Sequence, residues 1–176
     1  GQAGVTKQML QQTPTRRMVR ESSEHVGTMD TFVECHGPCS ITVSERRLID
    51  GRRVLLFEAT GTCSSSDFSI CLDQIGQRSP FTPELLTILD NRCVQRETDA
   101  DGLFRQAQVF ARSRVRRLRV CYISDTEATA AIAPLVREVF GQAGVTTDIH
   151  ICRNLEDALD WMTAHPPAGD SAHETS

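Results

Sequence analysis

The sequence predicts an α/β domain: a mostly parallel β-sheet of about five strands, covered by helices, in the order β-β-α-β-α-β-α-β-α. Three observations support this prediction. Short apolar segments alternate with amphipathic segments over residues 40–165, each amphipathic segment begins at a capping residue, and the connections are short. Such alternation favours parallel strands joined by right-handed crossovers.

The first two strands are predicted to form a hairpin. Residues 40–48 (SITVSERRL) alternate between apolar and polar side chains, as a half-exposed strand does. Asp50-Gly51 is a turn signal, residues 53–59 (RVLLFEA) are typical of a buried strand, and Gly61 is expected to end it. This hairpin should supply an antiparallel edge strand. Three further strands are predicted over residues 85–90, 118–124 and 148–152.

The helices are predicted from start signals that precede apolar stripes. These signals are residues 64–67 (SSSD), the Ser/Thr-x-x-acid patterns beginning at Thr98 and Ser124, and Asn154. Pro134 falls about two turns inside the third helix, so a kink or an interruption is expected there.

Composition limits the function classes. The chain has 176 residues, of which 39% are hydrophobic, and its formal net charge is −4. This apolar content excludes wholesale disorder, and no apolar run reaches the length of about 18 residues that spans a membrane. The acidic balance argues against a dedicated nucleic-acid binder. We expect residues 1–32 to form a polar, mobile arm or leader, residues 33–165 the domain, and residues 166–176 a disordered tail.

The seven cysteines are expected to be free thiols in a reducing cytoplasm, because their number is odd and no secretory signal is recognisable. They are Cys35, Cys39, Cys63, Cys71, Cys93, Cys121 and Cys152. Cys35-His36-Gly37-Pro38-Cys39 lacks the second Cys/His pair of a zinc site, so no metal is predicted.

Three segments resemble the SpoIIAA-like proteins of the STAS superfamily. They are residues 58–68 (EATGTCSSSDF), 85–91 (LLTILDN) and 148–162 (DIHICRNLEDALDWM), which resemble that family's glycine turn, central strand and closing strand and helix. The resemblance implies a cytosolic module that binds a protein or a small hydrophobic ligand, without catalysis or cofactor. The family's phosphorylated Asp-Ser-Ser-Gly-Leu motif corresponds here to residues 99–103 (DADGL). Asp101 stands near the phosphoacceptor place, so a phosphorylation cycle is not implied.

A binding site is predicted where parallel strands end, because ligands of open α/β sheets bind beyond the carboxyl ends of the strands. Helix N-termini at this edge can hold an anion. The alternative is that these residues only cap helices. The candidate residues are Thr60, Gly61, Asp90, Asn91, Asp101, Ser124, Asp125 and Arg153.

Two other hypotheses are kept open. Cys63 precedes a helix N-terminus that favours a thiolate, so a cysteine-dependent enzyme is the alternative to a binding module. The second hypothesis concerns a basic stretch over residues 112–119, which fits either a solvated rim or a site for an acidic protein, an anionic lipid or, less well, nucleic acid. Its arginines are Arg112, Arg114, Arg116, Arg117 and Arg119.

The sequence therefore predicts a non-catalytic cytoplasmic binding module without cofactor or metal. Its partner is expected to be a protein or a small hydrophobic or anionic ligand, and a homodimer is left open. A hydrophobic ligand is expected to enter between the sheet and a movable helix pair, with the Pro134-containing helix as the movable element.

Overall fold

The computed structural model describes residues 31–124 and 127–165. The predicted arm lies outside these residues apart from Thr31 and Phe32, and the predicted tail lies outside them entirely. In chain order the elements are β1 (Phe32–His36), β2 (Cys39–Arg47), β3 (Arg53–Ser64), α1 (Ser65–Arg78), β4 (Glu84–Glu97), α2 (Ala100–Arg112), β5 (Arg117–Ile123), α3 (Glu127–Gln142), β6 (Thr146–Cys152) and α4 (Leu155–Ala164).

The strands form one six-stranded sheet in the sequential order β1-β2-β3-β4-β5-β6. The β1–β2 and β2–β3 pairs are antiparallel, and β3–β4, β4–β5 and β5–β6 are parallel. The predicted α/β class with a mostly parallel sheet is confirmed. The predicted hairpin also forms, since Gly51 N–H donates to the Leu48 carbonyl at 2.9 Å. The hairpin does not supply the edge strand of the sheet, however, because β1 pairs with the outer side of β2.

The core is divided by the sheet into two apolar clusters. One packs the sheet against α1, α2 and α3, through residues such as Leu72, Leu103 and Val136. The other packs the opposite face against α4, through Ala158 and Met162. The domain is therefore a sheet between a three-helix layer and a single helix.

The start signals are largely confirmed. The side chain of Ser64 accepts a hydrogen bond from Asp67 N–H at 3.0 Å, and that of Asn154 accepts one from Asp157 N–H at 2.8 Å. The cap of α2 is Asp99 rather than Thr98, because the Asp99 carboxylate accepts from Gly102 N–H at 2.6 Å. A carboxylate is the stronger acceptor at the positive end of a helix.

Two strands are longer than predicted. Gly61 does not end β3, because it adopts φ +80° within the strand and lets the chain continue to Ser64. A Cβ at this position would overlap the carbonyl oxygen of Pro38 in the neighbouring β1–β2 turn. β4 runs on to Glu97 instead of ending at Asp90. These extensions decide where the functional site lies.

Helix α3 is continuous through Pro134, so of the two predicted outcomes the interruption is wrong, and the kink stays a prediction. Proline removes one backbone N–H, whose acceptor in a regular helix is the carbonyl four residues earlier. That carbonyl belongs to Ala130, and both Ala130 and Pro134 are exposed. Water can hydrate the carbonyl there, so the missing bond does not break the helix.

Candidate functional site

A cavity of about 400 Å³ lies between the sheet and helices α1, α2 and α3. Pockets for small molecules typically occupy roughly 300–1,000 Å³, whereas close-packed cores leave few voids larger than a water molecule. Its apolar lining is Phe57, Phe68, Leu72, Leu89, Val94, Leu103, Phe110, Leu118, Val120, Ala128, Ile132, Ala133, Val136 and Phe140. The space therefore has the size and the chemistry of a site for a hydrophobic ligand.

One end of the lining receives its polar groups from a β-bulge in β4. Glu58 of β3 pairs with Asp90 of β4, and Thr60 of β3 pairs with Cys93 of β4. Between these two pairs the chain advances by two residues along β3 and by three along β4. β4 thus carries one extra residue, and an extra residue exchanges the faces of all side chains beyond it.

The exchange of faces is visible in the residues on each side of the bulge. Before it the odd-numbered positions Thr87, Leu89 and Asn91 line the cavity, and after it the even-numbered Val94 and Arg96 do. Without the bulge Arg96 would face the other side of the sheet. The bulge is the reason that a cation lies in an apolar cavity.

Arg96 is held in the cavity by an aromatic ring. Its guanidinium carbon lies 4.5 Å from the ring centroid of Phe68 on α1, which is the geometry of a cation–π contact. Its Nη1 atom is buried and has no hydrogen-bond partner among the described residues. Burial lowers the pKa of the Arg96 guanidinium, and the nearby Tyr122 phenol acts in the opposite direction.

Other polar groups line the same space. Tyr122 is the single tyrosine of the chain, and burial raises the pKa of its phenol. Asn91 has a buried side-chain oxygen without a partner in the part of the chain described. Gln106 donates from Nε2 to the Ser65 carbonyl at 3.0 Å, and Thr129 donates from its hydroxyl to that of Ser124 at 2.9 Å. A few polar groups in an apolar cavity are what orient a bound ligand.

The residues predicted to form the site are only partly brought together. Asn91 and Ser124 line the cavity. Asp90 does not line it, and its carboxylate accepts from Nε and Nη2 of Arg92 at 3.0 and 2.8 Å. These hydrogen bonds, chiefly from the Arg92 side chain, lower the pKa of Asp90 despite partial burial.

The other predicted residues lie away from the cavity. Thr60 and Gly61 are exposed inside β3 rather than at its end. Asp101 is exposed in the first turn of α2, and Arg153 is exposed after β6. Asp125 lies outside the described residues, so its role stays a prediction.

The basic stretch does not form one cationic surface. Arg117 pairs with Asp148 at 2.8 Å, and Arg112 approaches Asp73 at 3.7 Å. Arg119 is only 5% exposed, also approaches Asp148 at 3.6 Å, and donates to the His165 carbonyl. The remaining two arginines, Arg114 and Arg116, are exposed.

The expectation of seven free thiols is wrong for Cys39 and Cys63, which form a disulfide with Cα atoms 4.6 Å apart. Its cause is strand register, since Cys39 pairs with Gly61 and Cys63 lies two residues further on the same face. Cys63 therefore has no thiolate, and the hypothesis of a Cys63 nucleophile is wrong. Cys39 cannot serve as a metal ligand either, and His36 contacts Asp67 at 2.9 Å.

The groups that sequence reasoning missed are Arg96, Tyr122 and Gln106. Gln106 lies three residues after Leu103 and four before Phe110, on the same face of α2, and a polar residue on an apolar face marks a buried polar group. Residues 91–97 (NRCVQRE) show no alternation of apolar and polar side chains, and the bulge that turns Arg96 inward has no clear sequence signal.

Fold and cavity together define an α/β domain with a ligand-sized apolar space that contains a partly buried arginine, Arg96. Within residues 31–124 and 127–165, no helix has the length and apolar character needed to cross a membrane. No family model matches the chain, and no curated protein does. It is similar to the crystal structure of an uncharacterized protein of the DUF3478 family with a SpoIIAA-like fold from Shewanella loihica PV-4. The TM-score is 0.44 and the identity 14%, over 73% of this chain and 98% of that chain.

Proposed function

We propose that this domain is a non-catalytic binding module that takes a small hydrophobic ligand into the cavity between its sheet and helices α1, α2 and α3. The observation that carries the proposal is the cavity itself, about 400 Å³ in volume and lined mainly by aliphatic and aromatic side chains. Transfer of an apolar ligand from water to such a lining is favourable in proportion to the area buried.

The packing of α3 supports entry of the ligand between this helix and the sheet. Six of its residues line the cavity, yet of the described α3 residues only Ala133, Val136 and Phe140 are buried. A helix that buries few side chains separates from its sheet at low cost in free energy. Proline at position 134 weakens it further by removing one hydrogen bond. Engagement of a protein partner and a cytoplasmic location stay predictions.

The proposal is tested with N-phenyl-1-naphthylamine, a neutral apolar dye whose fluorescence rises on transfer from water. We expect saturable binding to the full chain. Ala133→Phe places a ring in the cavity and should weaken binding on the order of tenfold, which is about 1.4 kcal/mol. Ala131→Phe is the matched control, because Ala131 is exposed on the same helix.

Thermal unfolding of both variants shows whether each keeps its fold. Absence of saturable binding by the wild type would contradict the proposal. Equal weakening by the two substitutions would contradict the assignment of the cavity as the site.

A further inference from the structure

We propose that the ligand is an aliphatic carboxylate whose single negative charge is bound by Arg96. This inference rests on the proposed function and assigns the chemical class of the ligand. It is argued from the charges that line the cavity, from the hydrogen-bonding groups near Arg96 and from the apolar remainder of the lining.

The charges in the cavity are not balanced by the protein residues that the structure describes. No aspartate or glutamate is among the described residues that line it, and two arginines are. The Arg92 guanidinium is paired with the Asp90 carboxylate through two hydrogen bonds. Arg96 contacts a ring and forms no ion pair with any carboxylate in the described ranges. Arg96 is partly buried, and its Nη1 atom is fully buried. A desolvated cation without a counter-ion is costly, so an anionic group on the ligand would offset that cost.

A carboxylate matches this cation better than a phosphate monoester does. The planar guanidinium fork suits both groups, but a phosphate monoester carries a charge of about −1.5 to −2 near neutral pH. Bound to a single unpaired arginine, it would leave part of its charge buried and unbalanced. A carboxylate brings one negative charge and leaves the pair neutral.

Tyr122 can also help to bind the carboxylate. It lines the same cavity as Arg96, and burial raises the pKa of its phenol. Because its phenol stays protonated, it can donate a hydrogen bond to a bound carboxylate oxygen. Most of the remaining lining is aliphatic or aromatic, with aliphatic residues such as Leu72, Leu103 and Ile132, and this suits an alkyl chain.

The test compares three probes with the same alkyl chain, namely dodecanoate, dodecanol and dodecyl phosphate, by calorimetric titration of the full-length protein. We expect the wild type to bind dodecanoate about tenfold or more tightly than dodecanol, since a hydrogen bond to a charged group contributes at least that factor. Dodecyl phosphate should bind more weakly than dodecanoate. Arg96→Gln should remove the preference for dodecanoate over dodecanol and leave dodecanol binding intact.

The controls separate the possible failures. Arg105→Gln removes the same charge from an exposed position of α2 and should keep the preference. Arg96→Lys keeps the charge without the guanidinium fork and should retain part of the preference for dodecanoate. Dodecanol binding by Arg96→Gln shows that this variant still has its cavity. If Arg96→Gln binds neither probe, Arg96→Lys decides instead. A partial loss of the preference, in a variant that still binds dodecanol, supports the assignment, and a preference kept in full contradicts a role for the guanidinium fork.

Equal wild-type affinity for dodecanoate and dodecanol would overturn this inference and leave the proposed function standing. Tighter binding of dodecyl phosphate would overturn the assignment of a single charge. Failure of the wild type to bind any of the three probes, or the neutral dye, would instead contradict the proposed function itself.

Discussion

The guanidinium carbon of Arg96 lies 4.5 Å from the ring centroid of Phe68, so a helix residue positions a cation of the adjoining strand inside the cavity. The contact gives Phe68 a role beyond apolar packing. It stabilises a charge whose Nη1 atom has no partner among the described residues, and it fixes the direction in which that charge is presented to a ligand.

Replacing Phe68 by Leu should therefore reduce ligand discrimination as well as stability. We expect the free energy of unfolding to fall by about 1–2 kcal/mol from lost packing and lost cation–π attraction. The ratio of dodecanoate to dodecanol affinity should fall severalfold. Phe110→Leu is the control, because Phe110 lines the same cavity but contacts Phe81 and Phe140 instead. Phe110→Leu should lower the free energy of unfolding in urea by a similar amount and leave the ratio of dodecanoate to dodecanol affinity unchanged.

The Cys39–Cys63 disulfide should stabilise the domain by restricting the unfolded chain. The two residues are 24 positions apart, and a loop of that size corresponds to roughly 3 kcal/mol. Joint replacement of both cysteines by Ala should lower the free energy of unfolding by that order, and dithiothreitol should then have little further effect. Cys93→Ala, at an exposed free thiol, is the control. A wild-type protein whose intact mass shows seven alkylatable thiols under non-reducing denaturation would contradict the bond.

The Asp90–Arg92 pair should make a pH-dependent contribution to stability. Hydrogen bonds from Arg92 hold the pKa of Asp90 below its ordinary value. The contribution is thus complete above the pKa of the unfolded chain and is lost as the pH falls through the lower pKa of the folded state. Asp90→Asn should cost about 1 kcal/mol near neutral pH, a modest value because Arg92 is partly exposed.

The cost of Asp90→Asn should shrink on acidification, as urea unfolding near neutral pH and at about pH 3 would show. Asp160→Asn, at an exposed position of α4, serves as the control. A cost that does not change with pH would mean that the charge of Asp90 contributes nothing to it.

Helix α3 is the element whose movement we expect to admit the ligand. Pro134→Ala restores a backbone hydrogen bond and removes a residue about 3 kcal/mol less favourable than Ala inside a helix. The variant should exchange its amide hydrogens more slowly over residues 128–140 and should release dodecanoate more slowly. Uniformly slow exchange of this segment in the wild type would contradict a mobile α3.

Much of the fold could be predicted from the sequence because local signals agree with it. The alternation over residues 40–48, the Asp50-Gly51 turn and the caps at Ser64 and Asn154 each specify a structure that the chain adopts. β1 has a weak sequence signal, because only three of its five side chains are apolar. It forms by pairing with β2, which supplies its backbone hydrogen bonds, and this pairing is not visible in the local sequence. The apolar run that stops at Asp90 predicts a strand end there, although β4 continues as a half-exposed strand.

The site was less predictable because it depends on relations between elements. Asn91 and Ser124 were anticipated from the rule that ligands bind beyond strand ends, and both line the cavity. Arg96 faces the cavity only because of a one-residue bulge, which changes every side-chain direction after it. Cys63 was considered as a nucleophile because pairing with Cys39 depends on the register of two strands, which spacing along the chain does not reveal.

The most direct test of the central claim is native mass spectrometry of the full chain mixed with an equimolar amount of dodecanoate. The wild type and Ala131→Phe should each retain one dodecanoate, which is released on denaturation. Ala133→Phe, with a ring in the cavity, should be seen without it. A wild type that carries no dodecanoate, or an Ala133→Phe variant that retains as much as the wild type, would contradict the assignment of this cavity as the binding site.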